Sequence, residues 1–334
     1  MNIREIAEMA GVSPASVSLV INHRKGVSEE TRQKVLAVIR ENGYSAIAKK
    51  RRAASARLMI VKYHAYGITE ENQGFIASIL DKIESECRRH GDELVTASCA
   101  AEDAVETLRG LMREPPDGVI FVGSELDPAH YGLLDLIPAP TLILDNAVHY
   151  GRVDSLTMAN AAITAEAVDY LYGLGHRDIG YIQFNVPIRN CEERYAGFLR
   201  RMSELNLPIP APCPVEPKIN AACESMRQLI RSGKFIMHRA FVADNDTVAI
   251  GASRALIEAG YRCPEDFSII GVDDIPFSAV CTPPLTTMRV SRSTLGILAV
   301  KILRLRLKNP DWPPMHLEID GQRIARSSCQ AVDP

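Results

Sequence analysis

The first 44 residues constrain the fold most, because they read as three short helices with a tight turn between the first two. From Ile3, apolar residues recur at i, i+3, i+4 and i+7, which is the spacing of one helical face. Gly11 can end that helix, and Ser13 followed by Pro14 is typical of a helix start. The pattern predicts a helix-turn-helix, a motif whose second helix can enter the DNA major groove. A plain three-helix packing unit is the alternative, since this geometry also occurs in proteins that never touch DNA.

The side chains left exposed on the second predicted helix are small or apolar, where a solvated helix usually carries Glu and Lys. Such side chains suit close approach to DNA and contact with thymine methyl groups. Serine and asparagine can bond to phosphates or base edges. The residues predicted to contact DNA are Pro14, Ala15, Ser16, Ser18, Leu19 and Asn22.

Charge is divided unevenly along the chain. Residues 1–57 hold 11 Lys or Arg and five Asp or Glu, a formal charge of +6, although the whole chain carries −3. The remainder holds 27 basic and 36 acidic side chains and therefore carries −9. A basic head on an acidic body is typical of a nucleic-acid reader with a separate sensor. The division favours DNA binding over the packing unit.

The segment 45–57 is basic, rich in alanine and poor in large apolar residues. Such a composition cannot form a core, so we predict a linker with some helical propensity. Its run of Lys49, Lys50, Arg51 and Arg52 is either a solvated stretch or a set of contacts to phosphates or the minor groove. Beside a DNA-binding head, we include all four residues among the predicted DNA contacts.

From Leu58 onward, strands of the buried type alternate with helices of ten or more residues. This order predicts βαβ units and parallel sheets, and two sets of similar length suggest two lobes with a cleft. Ligands of such sheets bind beyond the carboxyl ends of the strands. The polar residues at these predicted ends are Asp145, Asn146, Asn185, Asp244, Asn245, Asp246, Asp273 and Asp274.

Several protein classes are disfavoured. Phosphate-loop, dinucleotide-binding and nucleophile-elbow motifs are absent from the sequence, so we expect neither an enzyme nor a cofactor. The eight cysteines are scattered without a C-x-x-C pair, which predicts reduced thiols and no metal site. Because no leader segment or membrane span is evident, we expect a cytoplasmic protein without a membrane partner. His176 is expected to fix a helix–strand turn.

A series of motifs in fixed order identifies a family resemblance. After the head come LYGLGHRDIGYI, RYAGF, NDTVAIGASRALIEAGYRCPEDFSIIGVDDI, PPLTTMRV and RIARSS. Each short motif is weak alone, but the ordered combination is specific. Over nearly its whole length, the chain resembles the lactose-repressor (LacI/GalR) family of bacterial transcription regulators.

The resemblance implies an all-α head at 1–44, a hinge at 45–57 and a periplasmic-binding-protein type I core at 58–334. The core would have two Rossmann-like lobes with parallel sheets and crossovers near residues 155, 284 and 317. Family members bind palindromic operator DNA as homodimers, and a small molecule in the cleft controls them. The implied lobe boundaries are about 58–155 and 286–316 for lobe 1, and about 156–285 and 317–334 for lobe 2.

By motif position, the resemblance implies that Asp145, Arg194, Asn245 and Asp273 contact the effector, with Phe75 as an aromatic lining residue. A guanidinium group, carboxylates and an amide could together bind the hydroxyls of a sugar-like solute. Strand-end Asp and Asn also cap helices, and we expect Asp246 to do so.

Three departures from the family pattern stand out. The hinge proline and asparagine positions hold Ala46 and Ile47. The position of the leucine that inserts into the minor groove holds Ala53, which we include among the predicted DNA contacts. The acidic residue usual before Asn160 is Ala159, and the asparagine-proline-phenylalanine turn of the first lobe reads Asn-Gln-Gly at 72–74. A methyl group cannot separate a base step as leucine does, so either the DNA is kinked less here, or Leu58 or the basic run at 49–52 replaces the leucine.

The leading hypothesis is a sequence-specific DNA-binding repressor of a sugar uptake or catabolism operon, controlled by a sugar-like effector. One alternative is a soluble sugar-binding protein or a sugar-processing enzyme. Another is a regulator whose sensor lobe docks a protein partner.

Overall fold

The computed structural model describes residues 3–21, 26–41, 55–68 and 74–332. The chain divides into two compact units, a helical head and an α/β core. The contacts predicted for Asn22, for Lys49, Lys50, Arg51 and Arg52, and for Ala53 lie outside the described residues, as does the 72–73 part of the atypical turn.

The head consists of α1 (Ile3–Ala10), α2 (Pro14–Ile21) and α3 (Glu29–Glu41). Gly11 ends α1 with a φ of +64°, and the Ser13 hydroxyl accepts a hydrogen bond from the Ser16 amide at 3.1 Å, which caps α2. The predicted helix-turn-helix is therefore confirmed. Its core is formed by Ile6, Ala7, Val17, Val20 and Val35.

The core elements follow in chain order. The first group is β1 (Arg57–His64), α4 (Phe75–His90), β2 (Glu93–Ala100), α5 (Ala104–Leu111), β3 (Gly118–Val122), β4 (Thr141–Leu144) and β5 (Asp154–Met158). The second group is α6 (Asn160–Gly173), β6 (Ile179–Phe184), α7 (Arg189–Glu204), β7 (Cys213–Val215), α8 (Ile219–Arg231), β8 (Ala240–Ala243), α9 (Asp246–Glu258), β9 (Ser268–Asp273), α10 (Pro276–Val280) and β10 (Thr286–Arg289). The chain closes with α11 (Arg292–Lys308), β11 (His316–Ile319) and β12 (Gln322–Ile324).

These strands form two six-stranded sheets, one in each lobe. The first sheet has the order β11-β5-β4-β3-β1-β2 and all its pairings are parallel. The second has the order β12-β10-β9-β8-β6-β7 and is parallel except at β12. Every residue of β3 and of β9 is buried, as expected for sheets covered on both faces. The predicted fold class is confirmed.

The crossovers lie a few residues later than the sequence implied. Because β5 pairs within the first sheet, the chain leaves lobe 1 after Met158 rather than near 155. Because β10 pairs with β9, the segment 286–289 belongs to lobe 2, and the return to lobe 1 comes just before α11. Finally, β11 pairs with β5, so the last crossover lies between β11 and β12 rather than near 317. Motif positions locate strands, whereas hydrogen-bonded neighbours decide which sheet each strand joins.

A buried ion pair fixes the part of lobe 1 that the chain enters last. Arg306 of α11 donates to both carboxylate oxygens of Asp154 at 2.9 and 2.7 Å. The Met315 amide donates to the same carboxylate at 2.8 Å. The pair therefore ties α11 and the start of β11 to β5. In the described part of the chain, no helix is both long and apolar enough to cross a membrane.

Candidate functional site

The outer side of α2 carries four of the residues predicted to contact DNA, Pro14, Ala15, Ser16 and Leu19. Pro14 and Ala15 are exposed and Leu19 is half-buried. Ser16 is also half-buried, and its hydroxyl lies 2.9 Å from that of Ser13, so part of its bonding capacity serves the helix cap. Ser18 lies within α2, but its side chain is outside the described part. The helix thus presents a small, largely uncharged surface on the side away from the head core.

The core contains a cavity between the carboxyl ends of its two sheets, with about 450 Å³ of empty space including the open solvent at its mouth. All five residues predicted to bind the effector line it: Phe75, Asp145, Arg194, Asn245 and Asp273. The structure therefore brings together residues that lie up to about 200 positions apart in sequence. The other lining residues are Ile68, Ile76, Ser124, Glu125, Met158, Phe184, Ile188, Asn190 and Cys191.

Arg194 is only 4% exposed, and protein groups bind most of its donors. Its Nε donates to Asn160 Oδ1 at 3.0 Å, and Nη1 donates to the Asp244 carbonyl at 2.5 Å. Its Nη2 lies 2.8 Å from the Met158 sulfur and 3.5 Å from Asp273 Oδ1. Since a guanidinium group has five N–H donors, little remains for a ligand beyond one N–H. The effector contact of Arg194 stays a prediction, and in this structure most of its N–H groups hold the cavity wall together.

Asp145 lies directly after β4 and joins the two lobes. Its φ of +65° is left-handed, and Ser124 donates to its Oδ2 at 2.5 Å. From the second lobe, Asn190 Nδ2 donates to both the Asp145 carbonyl and its Oδ1 at 3.0 Å. Burial raises the pKa of the Asp145 carboxyl, against the hydrogen bond from Ser124 and the charge of Arg194. A ligand that replaced these donors would therefore act on the contact between lobes.

Asn245 caps α9, because its Oδ1 accepts from the Val248 amide at 3.1 Å. The prediction that Asp246 provides this cap is wrong. A strand-end side chain does cap the helix, but it is that of Asn245. The carboxylate of Asp246 points instead to Ser278 and Thr287. The Asn245 side chain therefore has a structural hydrogen bond as well as a place on the cavity wall.

Asp244, one residue earlier, is fully buried and structural. Tyr181 Oη and the Phe184 amide donate to its carboxylate, each at 2.6 Å. Burial raises the pKa of Asp244 to about 6 in spite of these bonds and of Arg194. The group fixes the end of β6, from which Phe184 reaches the cavity.

Several residues that line the cavity were not predicted from the sequence. Asn190 is the one that the sequence could most easily have indicated. It lies four residues before Arg194 and therefore on the same face of α7. No sequence pattern indicated Glu125 as a lining residue. Its Oε2 accepts hydrogen bonds from the amides of Ala65, Tyr66 and Gly67 at 2.7, 2.5 and 3.1 Å. This carboxylate holds the loop that leads to the near wall of the cavity.

His176 has the structural role expected from sequence. Its Nε2 lies 3.1 Å from both Ser268 Oγ and the Gln330 carbonyl, and burial lowers its pKa. It links the turn before β6 to β9 and to the C-terminal segment.

Two family models match the chain. Residues 2–46 match the model for bacterial regulatory proteins of the lacI family, and residues 168–329 match a periplasmic binding protein-like domain. A relative from Actinobacillus pleuropneumoniae serotype 3, the HTH-type transcriptional repressor PurR, is 31% identical over 99% of both chains. The chain belongs to the LacI family. The PurR repressor of Haemophilus influenzae is 32% identical to this LacI-family chain, again over 99% of both.

Solved LacI-family structures share the fold. The lac repressor dimer bound to operator and the anti-inducer ONPF has a TM-score of 0.73 at 24% identity and covers 99% of both chains. The CelR–cellobiose complex has a TM-score of 0.71 at 22% identity, covering 98% of this chain and 99% of CelR. A LacI-family regulator from Enterococcus faecium with bound ribose has a TM-score of 0.70 at 24% identity, covering 82% of this chain and 100% of that one. This chain is thus a DNA-binding transcriptional repressor of the LacI family, and its curated relatives are repressors rather than enzymes.

Proposed function

We propose that this repressor binds a palindromic operator as a homodimer and that a small ring-shaped solute in the cavity controls its operator affinity. The observation that carries the proposal is the position of Asp145, Arg194 and Asp273 around one cavity at the carboxyl ends of both sheets. Exposed apolar residues on α10, Phe277 at 49% and Val280 at 75%, support an interface with a second copy.

A sugar or sugar derivative is the first candidate for this effector. The carboxylates of Asp145 and Asp273 accept hydrogen bonds and can bind ring hydroxyl groups, while Phe75 and Phe184 offer apolar faces to a sugar ring. The fold neighbours that hold cellobiose and ribose support this class. The regulated genes would then be those for sugar uptake or breakdown.

A purine base is the second candidate, because the curated relatives at about 31% identity are PurR repressors. The N–H groups of a flat heterocycle could donate to the same two carboxylates. The aromatic side chains of Phe75 and Phe184 could pack on its faces.

Thermal unfolding with D-ribose, cellobiose, hypoxanthine and guanine tests the proposed effector class. A ligand at a hundred times its dissociation constant should stabilise the protein by about 2.7 kcal/mol. Asp273→Asn should weaken the response, because it removes a carboxylate from the cavity. Asp169→Asn, which alters a surface carboxylate paired with Arg201, should leave it unchanged. If neither sugars nor purines shift the wild-type midpoint, both effector classes are wrong.

Replacing Lys49 through Arg52 with alanine should flatten the salt dependence of DNA binding. Each lost phosphate contact removes about 0.9 from the log–log slope of affinity against salt concentration. Fluorescence anisotropy on a duplex selected from a random library, at several salt concentrations, measures the slope. A variant lacking Lys301 and Lys308, which are exposed on α11, is the control. An unchanged slope in the 49–52 variant would identify the run as a passive linker.

A further inference from the structure

Asp246 is a buried carboxylate beside the cavity that does not line it. It is fully buried at the first position of α9. Its Oδ2 accepts from Ser278 Oγ at 2.5 Å and from the Ile275 amide at 3.1 Å, and its Oδ1 accepts from Thr287 Oγ1 at 2.5 Å. Burial and the nearby charge of Asp273 raise the pKa of Asp246 to about 8. Burying a carboxyl group away from water costs free energy, so we look for a role of Asp246 that an apolar side chain could not fill.

One of the three donors to Asp246, the Ile275 amide, belongs to the turn at the end of β9, and the other two are side chains of α10 and β10. Asp273 and Asp274 have φ values of +110° and +53°, so two successive non-glycine residues are left-handed. A non-glycine residue in this conformation is strained and persists only where its surroundings hold it. The effector-site carboxylate of Asp273 is therefore presented by a strained backbone.

Two backbone amides of this turn are connected to Asp246 by hydrogen bonds. The Ile275 amide donates to it directly, and the Asp274 amide lies 3.4 Å from Thr287 Oγ1, whose hydroxyl donates to Asp246. Gly271 allows the close approach, since a Cβ there would lie 2.2 Å from Asp246 Oδ1. The carboxylate thus holds the turn both directly and through one hydroxyl group.

The outer side of the turn is held separately. The Asp274 carboxylate receives Arg289 Nε at 2.7 Å and Arg326 Nη2 at 2.6 Å. Its neighbour Asp273 lies on the cavity wall, 3.5 Å from Arg194 Nη2. Two successive carboxylates are therefore directed to different partners, and the backbone conformation between them decides this.

We propose that Asp246 is the positioning residue of the effector cavity: through Ile275 and Thr287 it fixes the turn that presents Asp273 to Arg194 and to the effector. This rests on the proposed function, in which Asp273 contacts the effector. Asp246 itself touches no ligand in this role, and its influence is transmitted by the backbone of residues 273–275.

Thr287→Val tests the relay without any ligand, because it removes one hydroxyl and keeps the shape of the side chain. Amide hydrogen exchange across 272–276 in the full chain should accelerate about tenfold, as expected when the Asp274 amide loses its acceptor and the Asp246 side chain loses a donor. Thr141→Val is the matched control: Thr141 is 5% exposed in β4, and its hydroxyl donates to the Ala139 carbonyl at 2.9 Å. If amide exchange across 272–276 in Thr287→Val is as slow as in wild type, the proposal is wrong. It is also wrong if exchange there accelerates equally in both variants.

Effector affinity provides the second readout, with D-ribose and hypoxanthine as probes. Whichever of the two compounds binds wild type should bind Thr287→Val with an affinity about tenfold lower. The affinity for the operator should stay unchanged. Adding Thr287→Val to Asp273→Asn should cause no further loss, because the relay acts through Asp273. Additive losses would contradict the inference. Absence of binding by wild type would count against the proposed effector class, and the exchange result would then decide the inference alone.

Discussion

Replacing Arg194 with methionine is expected to abolish the response to effector and to lower the free energy of unfolding by about 3–5 kcal/mol, the cost of breaking a buried ion pair from one side. The loss follows from the partners of the guanidinium group. Asp273 would lose its cation at 3.5 Å, and Asn160 and the Asp244 carbonyl would lose their donor. Methionine approximates the length of the arginine stem, so the cavity left behind is small.

Urea unfolding of the full chain measures the stability, and a thermal-shift titration with sugars and purines measures the response. Arg201→Met is the control, because Arg201 lies on the same helix but pairs with Asp169 and Glu204 near the surface. Its replacement should leave the free energy of unfolding close to that of wild type, because exposed ion pairs contribute little to stability. An Arg194→Met protein as stable as wild type and still responsive to a ligand would show that this guanidinium does not organise the cavity.

The head was predictable in detail because helical periodicity alone decides its core. Val17 and Val20 are buried at helical spacing, whereas Ala15 and Leu19, which were predicted to face DNA, lie on the outer side of α2. Local capping chemistry was sufficient to place the start of α2 at Pro14. No contact distant in sequence is needed for either result.

The cavity was predictable only in part, because strand ends can be read from sequence but the meeting of two lobes cannot. Asp145 follows β4 and Asp273 ends β9, and the sequence identified both as residues at strand ends. Asn190 bonds to Asp145 across the lobes, and this contact depends on how α7 faces β4. Met158 became a wall residue because β5 extends further than the implied crossover. Residues whose role depends on the lobe arrangement were therefore missed.

The cap of α9 shows a second limit of local reasoning. Asn245 and Asp246 are adjacent, and both side chains are suited to capping. The choice falls on Asn245 because Thr287 and Ser278, more than 30 residues further along the chain, supply donors for Asp246. Residues of β10 and α10, which are distant in sequence, thus determine which of the two adjacent side chains caps α9.

Replacing Leu19 with lysine is expected to weaken binding to a selected operator by about 1–3 kcal/mol, the typical worth of a lost base contact, while preserving affinity for unrelated DNA. Leu19 lies on the outer side of α2, between the buried Val17 and Val20, and is half-buried. A lysine there can pack its stem along the helix and keep its charge in solvent, so the head should remain folded. Its added charge favours phosphates of any sequence, whereas the apolar contact with base edges is lost.

Fluorescence anisotropy with a selected duplex and a scrambled duplex, at one fixed salt concentration, measures the ratio of the two affinities. Gln33→Lys is the matched control, because Gln33 is exposed on α3 and its replacement adds the same charge away from α2. This control should raise both affinities slightly and leave their ratio unchanged. If Leu19→Lys weakens both duplexes equally, the residue serves the fold or general attraction to DNA, and the reading surface must lie elsewhere on the head. If only the selected duplex is affected, the outer side of α2 reads sequence through an apolar contact that charge cannot replace.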